Sequence, residues 1–148
     1  MEKKERKNKK NNNKGFSLVE LIIVIAIMAI LSGALAPQLM KYIEKSRVST
    51  DTSNCDAIKS VVNTTLASED AYAEITQKST ITIIDSSNIT YDGSTAFKDT
   101  TNSKFQKEFK SILGTAPTVK AKGKTKFLVT IEVDATSKEI TDVSVVTQ

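Results

Sequence analysis

The sequence predicts an α+β fold: a long N-terminal helix, half membrane-spanning and half amphipathic, packed against a small antiparallel β-sheet head. Three observations predict it. Leu21–Met40 is a run of 20 residues without a charged group, rich in Ile, Leu, Val and Ala. From Lys41 to about Ile75 there is neither Gly nor Pro, and apolar residues recur at helical spacing. The remainder contains short runs in which apolar and polar residues alternate, the period of a half-buried strand.

Each element follows in chain order. Residues 1–14 are Lys- and Asn-rich without apolar periodicity and read as an unstructured leader. The charge-free run makes roughly 30 Å of helix at 1.5 Å per residue, about the thickness of a bilayer's hydrocarbon core. Its apolar residues occur on every face, which marks a membrane span rather than a surface helix. Glu20 is the only charge between Phe16 and Met40. Pro37 removes a backbone donor near the end of the run and is expected to kink or loosen the helix, with Gly33 one turn earlier adding to the weakness. Beyond it, Val48, Cys55, Ile58, Val62 and Leu66 form one apolar stripe between polar residues. The expected division is a leader at 1–15, a membrane and assembly half at 16–37, an amphipathic helical half at 38–75 and a β-rich head at 76–148.

Within the head, Thr80–Ile84 and Ile89–Tyr91 are β-like, and Asp92-Gly93 marks a turn. Phe105, Phe109, Ile112 and Leu113 suit a short helix ending at Gly114. Thr118–Ala121 and Thr125–Val133 flank Lys122-Gly123-Lys124 and predict a hairpin. Phe127, Val129, Ile131 and Val133 alternate with Leu128, Thr130 and Glu132, and Ile140–Val146 supplies the last strand. A head of about 70 residues needs the helix stripe to complete its core.

Charge is distributed unevenly. The chain of 148 residues carries 21 Lys+Arg against 17 Asp+Glu, a net +4. Residues 1–14 hold seven of the basic groups (Lys3, Lys4, Arg6, Lys7, Lys9, Lys10, Lys14) with Glu2 and Glu5, a net +5. The rest therefore holds 14 basic and 15 acidic groups, a net −1. A basic segment ahead of an apolar run sets membrane orientation, and without it the electrostatic case for DNA or RNA largely disappears. The single cysteine, Cys55, cannot form an internal disulfide. With no histidine, Ser-His and Cys-His pairs and any His-containing metal site are excluded. No phosphate loop, EF-hand spacing or cofactor motif is present, so neither an enzyme nor a bound cofactor is expected.

The segment Lys14-Gly15-Phe16-Ser17-Leu18-Val19-Glu20, leading into the apolar run, resembles the class III signal of type IV prepilins. In that signal a basic leader ends in Gly, Phe follows, and Glu stands five residues into the mature chain. Pro37, the 22nd residue from Phe16, matches the kink proline common in the family. The resemblance covers residues 14–37; downstream only the architecture is similar. It implies a type IV pilin-like fold, cleavage between Gly15 and Phe16 by a membrane aspartyl prepilin peptidase, and N-methylation of Phe16. It further implies polymerisation of the subunit with itself into a helical filament, driven by a cytoplasmic pilus assembly ATPase on an inner-membrane platform. The subunit would rest as a single-pass protein of the cell membrane and then stand in an extracellular pilus on the cell surface. Such filaments serve adhesion, motility, biofilm formation or DNA uptake. Pseudopilins of type II secretion or competence systems share the signal. The lone cysteine leaves the head without the cystine-closed loop of many Gram-negative pilins, which points to a Gram-positive or anaerobic source.

Each motif position has a chemical rationale. Gly15 lets an extended backbone enter a narrow protease cleft beside the membrane. Cutting there leaves the apolar helix attached, whereas ordinary signal cleavage removes it. A carboxylate in a membrane helix costs about 2.5–3.5 kcal/mol at the centre on insertion scales. In the first turn Glu20 instead meets the positive end of the helix dipole. Cleavage creates an α-ammonium on Phe16, with an ordinary pKa of about 7.7–8. Glu20 pairing with that amine on a neighbouring subunit would set the axial register.

Blander readings stand beside these. Ala34-Leu35-Ala36 fits a signal-peptidase site, but Pro37 would follow the cut and Glu20 would lie inside the apolar region. A non-polymerising membrane-anchored binding protein would share the anchor and the sheet. Lys120, Lys122, Lys124 and Lys126 could bind nucleic acid or an anionic surface, although such rows more often keep an exposed strand soluble. Cys55, on the apolar stripe, reads as a buried structural thiol rather than a crosslink.

Overall fold

The computed structural model describes residues 15–93 and 103–148. The leader expected at 1–14 lies outside the described residues. Among the described residues there are seven elements: α1 (Leu18–Leu66), α2 (Glu69–Tyr72), β1 (Ser79–Ile83), β2 (Ile89–Asp92), α3 (Lys104–Leu113), β3 (Phe127–Val133) and β4 (Ile140–Thr147). The chain separates into two compact units, one ending at Lys41 and the other spanning Tyr42–Gln148.

In the first unit every described residue of α1 is exposed, and the helix is long and apolar enough to cross a membrane. Helix formation continues through Pro37.

The second unit is an α+β layer pair, with the later part of α1 packed against a four-stranded antiparallel sheet in the order β2-β1-β3-β4. Residues 49–65 of α1 are rich in Ser and Thr, weak helix formers. The Thr50, Thr52, Ser53, Thr64 and Thr65 hydroxyls donate to carbonyls four residues back, so they remain satisfied inside the helix. Ile58 and Val62 are fully buried on its inner face. Opposite them, the inward residues of the sheet stand in register: Ile81 beside Val129, Ile83 beside Phe127, and Ile131 beside Val143. Burying these pairs on one face fixes the register, because a one-residue slip would turn every side chain outward. Phe105 and Phe109 of α3 stack at 5.9 Å between ring centroids, and Tyr91 meets Phe109 edge-on. The expected core role of Phe105 and Phe109 holds.

α3 begins at Ser103, whose hydroxyl accepts the Gln106 N–H, and ends at Gly114 as expected. Gly93 has φ +115°, and a Cβ there would collide with the Lys78 carbonyl oxygen. Only glycine fits that turn.

Two expectations fail. The helix foreseen to about Ile75 ends at Leu66. Ala67 N–H is shared between the Asn63 and Thr64 carbonyls, and Ser68 N–H donates to that of Thr65, tightening the last turn. The break lets Ala71 and Ile75 fold back into the same core as Ile58. The hairpin around Lys122-Gly123-Lys124 is also absent, since Thr118–Ala121 forms no strand. Carboxylates of α1 take its backbone donors: Lys120 N–H and Ala121 N–H donate to Asp51 at 2.8 and 2.7 Å, and Lys122 N–H to Glu44 at 2.8 Å. The observed hairpin joins β3 to β4 through Asp134–Glu139, where the Asp134 carboxylate accepts the Thr136 and Ser137 N–H groups.

Candidate functional site

The site foreseen at the N-terminus begins with Gly15, Phe16 and Ser17, which lie outside regular secondary structure immediately before α1. Peptide hydrolysis needs an accessible backbone outside helices and strands, and Gly15–Ser17 are exposed and lie outside both. A Cβ placed on Gly15 would meet nothing within 4 Å, so the chain's own packing does not demand glycine here. Phe16 is 92% exposed.

Glu20 lies in the first turn of α1, and its Oε2 accepts the Ser17 N–H at 2.8 Å. The Ser17 carbonyl accepts the Leu21 N–H, making Ser17 the residue that caps the helix. A carboxylate three residues inside a helix reaching back to the cap N–H is half of a capping box. It satisfies one donor that the helix cannot and places negative charge at the positive end of the dipole. Sequence reasoning placed Glu20 by its charge and missed this bond. The signal was present as Ser17-x-x-Glu20.

Pro37 sits inside α1 and is remote in sequence from the junction. It lacks an N–H, so the regular helical bond to the Gly33 carbonyl four residues back cannot form.

The second unit holds the other candidates. Cys55 is half-buried rather than buried, and it lines a groove of about 400 Å³ with Val48, Asp51, Ala121 and Val145. Burial first, then the Asp51 and Asp56 carboxylates, pushes its thiol pKa up, which opposes the reactive thiolate. Lys120, Lys122 and Lys124 are exposed on the segment clasped to α1, not around a hairpin. Asp51 is only 2% exposed, and the Lys120 and Ala121 amides satisfy it. No local pattern announced this role.

Glu74 forms a further carboxylate clasp. It accepts the Ser103 hydroxyl at 2.7 Å, the Lys104 N–H at 2.8 Å and the Phe105 N–H at 3.1 Å, at the start of α3. Burial acts to raise its pKa, but these donors outweigh burial and hold it below the ordinary carboxylate value. Tyr91 is pushed up to about 12 by burial alone.

Residues 10–36 match the family model of the prokaryotic N-terminal methylation motif. That span contains Gly15, Phe16 and Glu20, and it upholds the resemblance to type IV prepilins. No curated protein and no solved structure matches the chain.

Proposed function

We propose that this chain, whose N-terminal segment carries the prokaryotic N-terminal methylation motif, is a structural subunit of a type IV pilus. It is cut after Gly15, methylated on Phe16 and polymerised through the apolar half of α1. The motif by itself marks a pilin-like or pseudopilin protein, structural rather than enzymatic, anchored in a membrane before assembly.

One observation carries the reading further: every described residue of this motif, and on to Lys41, is exposed. An apolar helix with no cover of its own needs lipid or other helices around it. Lipid covers the precursor, and the same faces of neighbouring copies cover the filament subunit. Charge supports the exchange. Before cleavage Phe16 N is an uncharged amide; afterwards it is an ammonium. Glu20 Oε2 is held by its own helix cap, which leaves Oε1 to receive the Phe16 ammonium of a neighbour. Pairing neutralises both charges as the helices leave lipid.

Mass spectrometry of the mature N-terminus tests the processing, with N-methyl-Phe16 expected as the first residue. A chain beginning at Pro37 would overturn it. Electron microscopy of cells with and without the gene tests polymerisation. Long surface fibres containing the chain identify a pilin, and short envelope-bound structures identify a pseudopilin.

A further inference from the structure

The leader is not the only place where charge is segregated. Residues 41–47 and 120–126 together hold seven basic residues and one acidic, a net +6. All other residues of 15–148 hold seven basic and 14 acidic, a net −7. Although 69 residues separate Lys120 from Asp51, the fold brings the two segments together. Lys120 and Ala121 N–H donate to Asp51, and Lys122 N–H to Glu44. The carboxylates at this junction are thus occupied by backbone amides, and Arg47 lies 3.8 Å from Glu44. Lys45, Lys120 and Lys122 are exposed and make no ion pair among the described residues. Glu44 stands only four residues after Met40, the end of the charge-free run.

We propose that Lys45, Arg47, Lys120, Lys122 and Lys124 form a cationic collar that docks on anionic phospholipid headgroups while the subunit waits in the membrane. The collar rests on the reading that the apolar half of α1 spans a bilayer. Attraction to an anionic surface fades within a Debye length of about 8–10 Å, and the second unit begins at Tyr42, two residues after the charge-free run ends. Each lysine at such a surface favours docking by about fivefold. The two carboxylate clasps give the lysines of 120–124 a fixed place rather than a mobile tail. They also explain why this turn follows α1 instead of joining a strand. Leaving the bilayer for a filament would then require giving up these headgroups, so lipid charge tunes how readily the parked subunit is withdrawn.

The test uses the full chain in nanodiscs, either neutral phosphatidylcholine or phosphatidylcholine containing phosphatidylglycerol. Headgroup spin labels report proximity by broadening backbone amide signals. Broadening of the 120–124 amides is expected in the anionic discs and not in the neutral ones, and it should fade as salt is raised. K120Q/K122Q should lower the docked-to-undocked ratio roughly 25-fold. K59Q/K138Q, outside both segments, should leave it unchanged. Unaltered β3 and β4 amide shifts in each variant report an intact head. Equal broadening in neutral discs, or no effect of K120Q/K122Q, overturns the collar. So does a response of these amides to duplex DNA or inorganic phosphate when none occurs with anionic lipid. Failure of the chain to enter nanodiscs at all would instead overturn the membrane-spanning reading.

Discussion

The two halves of α1 are made from the same backbone hydrogen bonds and opposite surfaces. From Leu18 to Met40 no side chain is buried, although nearly all are apolar. From Asp51 to Thr65 the helix is largely polar, yet Ile58 and Val62 are completely enclosed. Hydrophobic content alone therefore does not say where a core lies. In the head, a narrow stripe meets a sheet and stabilises this chain's own fold. In the N-terminal half, a continuous apolar surface is left for lipid, and, in the function proposed above, for other copies. Stability of the head and competence for assembly should consequently separate under mutation.

The sharpest test pairs one substitution from each region. Phe109→Ala removes a fully buried ring and should cost about 3–5 kcal/mol of head stability in denaturant unfolding. Ile25→Ala, at an exposed position, should leave that unfolding transition unmoved while impairing assembly. Equal losses would abolish the distinction. Next in size, Asp51→Asn should cost about 1.5–3 kcal/mol by weakening charge-assisted bonds to Lys120 and Ala121 N–H. Amide exchange should quicken at those two residues first; uniform quickening across the sheet would contradict the clasp.

Acid should reach the head through Glu74. Its pKa is lowered by folding, so the stability it contributes is present above the ordinary value of 4.5 and is lost as pH falls through the lower folded value. Melting curves from pH 6 to 3 should therefore decline, and Glu74→Gln should flatten that decline. An unchanged slope in the variant would assign acid sensitivity elsewhere. Glu20→Ala, like Ile25→Ala, should change head stability by no more than about 0.5 kcal/mol. Glu20→Ala should leave cleavage after Gly15 possible and abolish filaments. Abundant normal filaments would refute the pairing role of Glu20.

How much was legible in the sequence follows the range of the interactions. The apolar run and the Gly15–Phe16–Glu20 constellation are local and were read directly. α3, with its i and i+4 phenylalanines and terminal Gly114, was equally plain, as were β1, β3 and β4 to within a residue or two. The false hairpin had a valid local pattern, but Asp51 and Glu44, far away in sequence, captured its donors. The helix end at Leu66 was hidden for a similar reason: Ala71 and Ile75 keep helical spacing while burial pulls them back into the core. Ser17 was a different kind of miss. Its capping signal stood in the motif itself, overshadowed by the charge of Glu20.

The helical bond missing between Pro37 and the Gly33 carbonyl has a mechanical consequence. In the proposed filament, tension would load each subunit along α1, and a helix resists extension through its ladder of backbone hydrogen bonds. The section between Gly33 and Pro37 is one rung short, and glycine there lowers the cost of unwinding. Stretch should begin in that section, lengthening the fibre while the sheet stays folded. Replacing Pro37 with Ala should stiffen the fibre in force–extension measurements and leave the head's unfolding transition where it was.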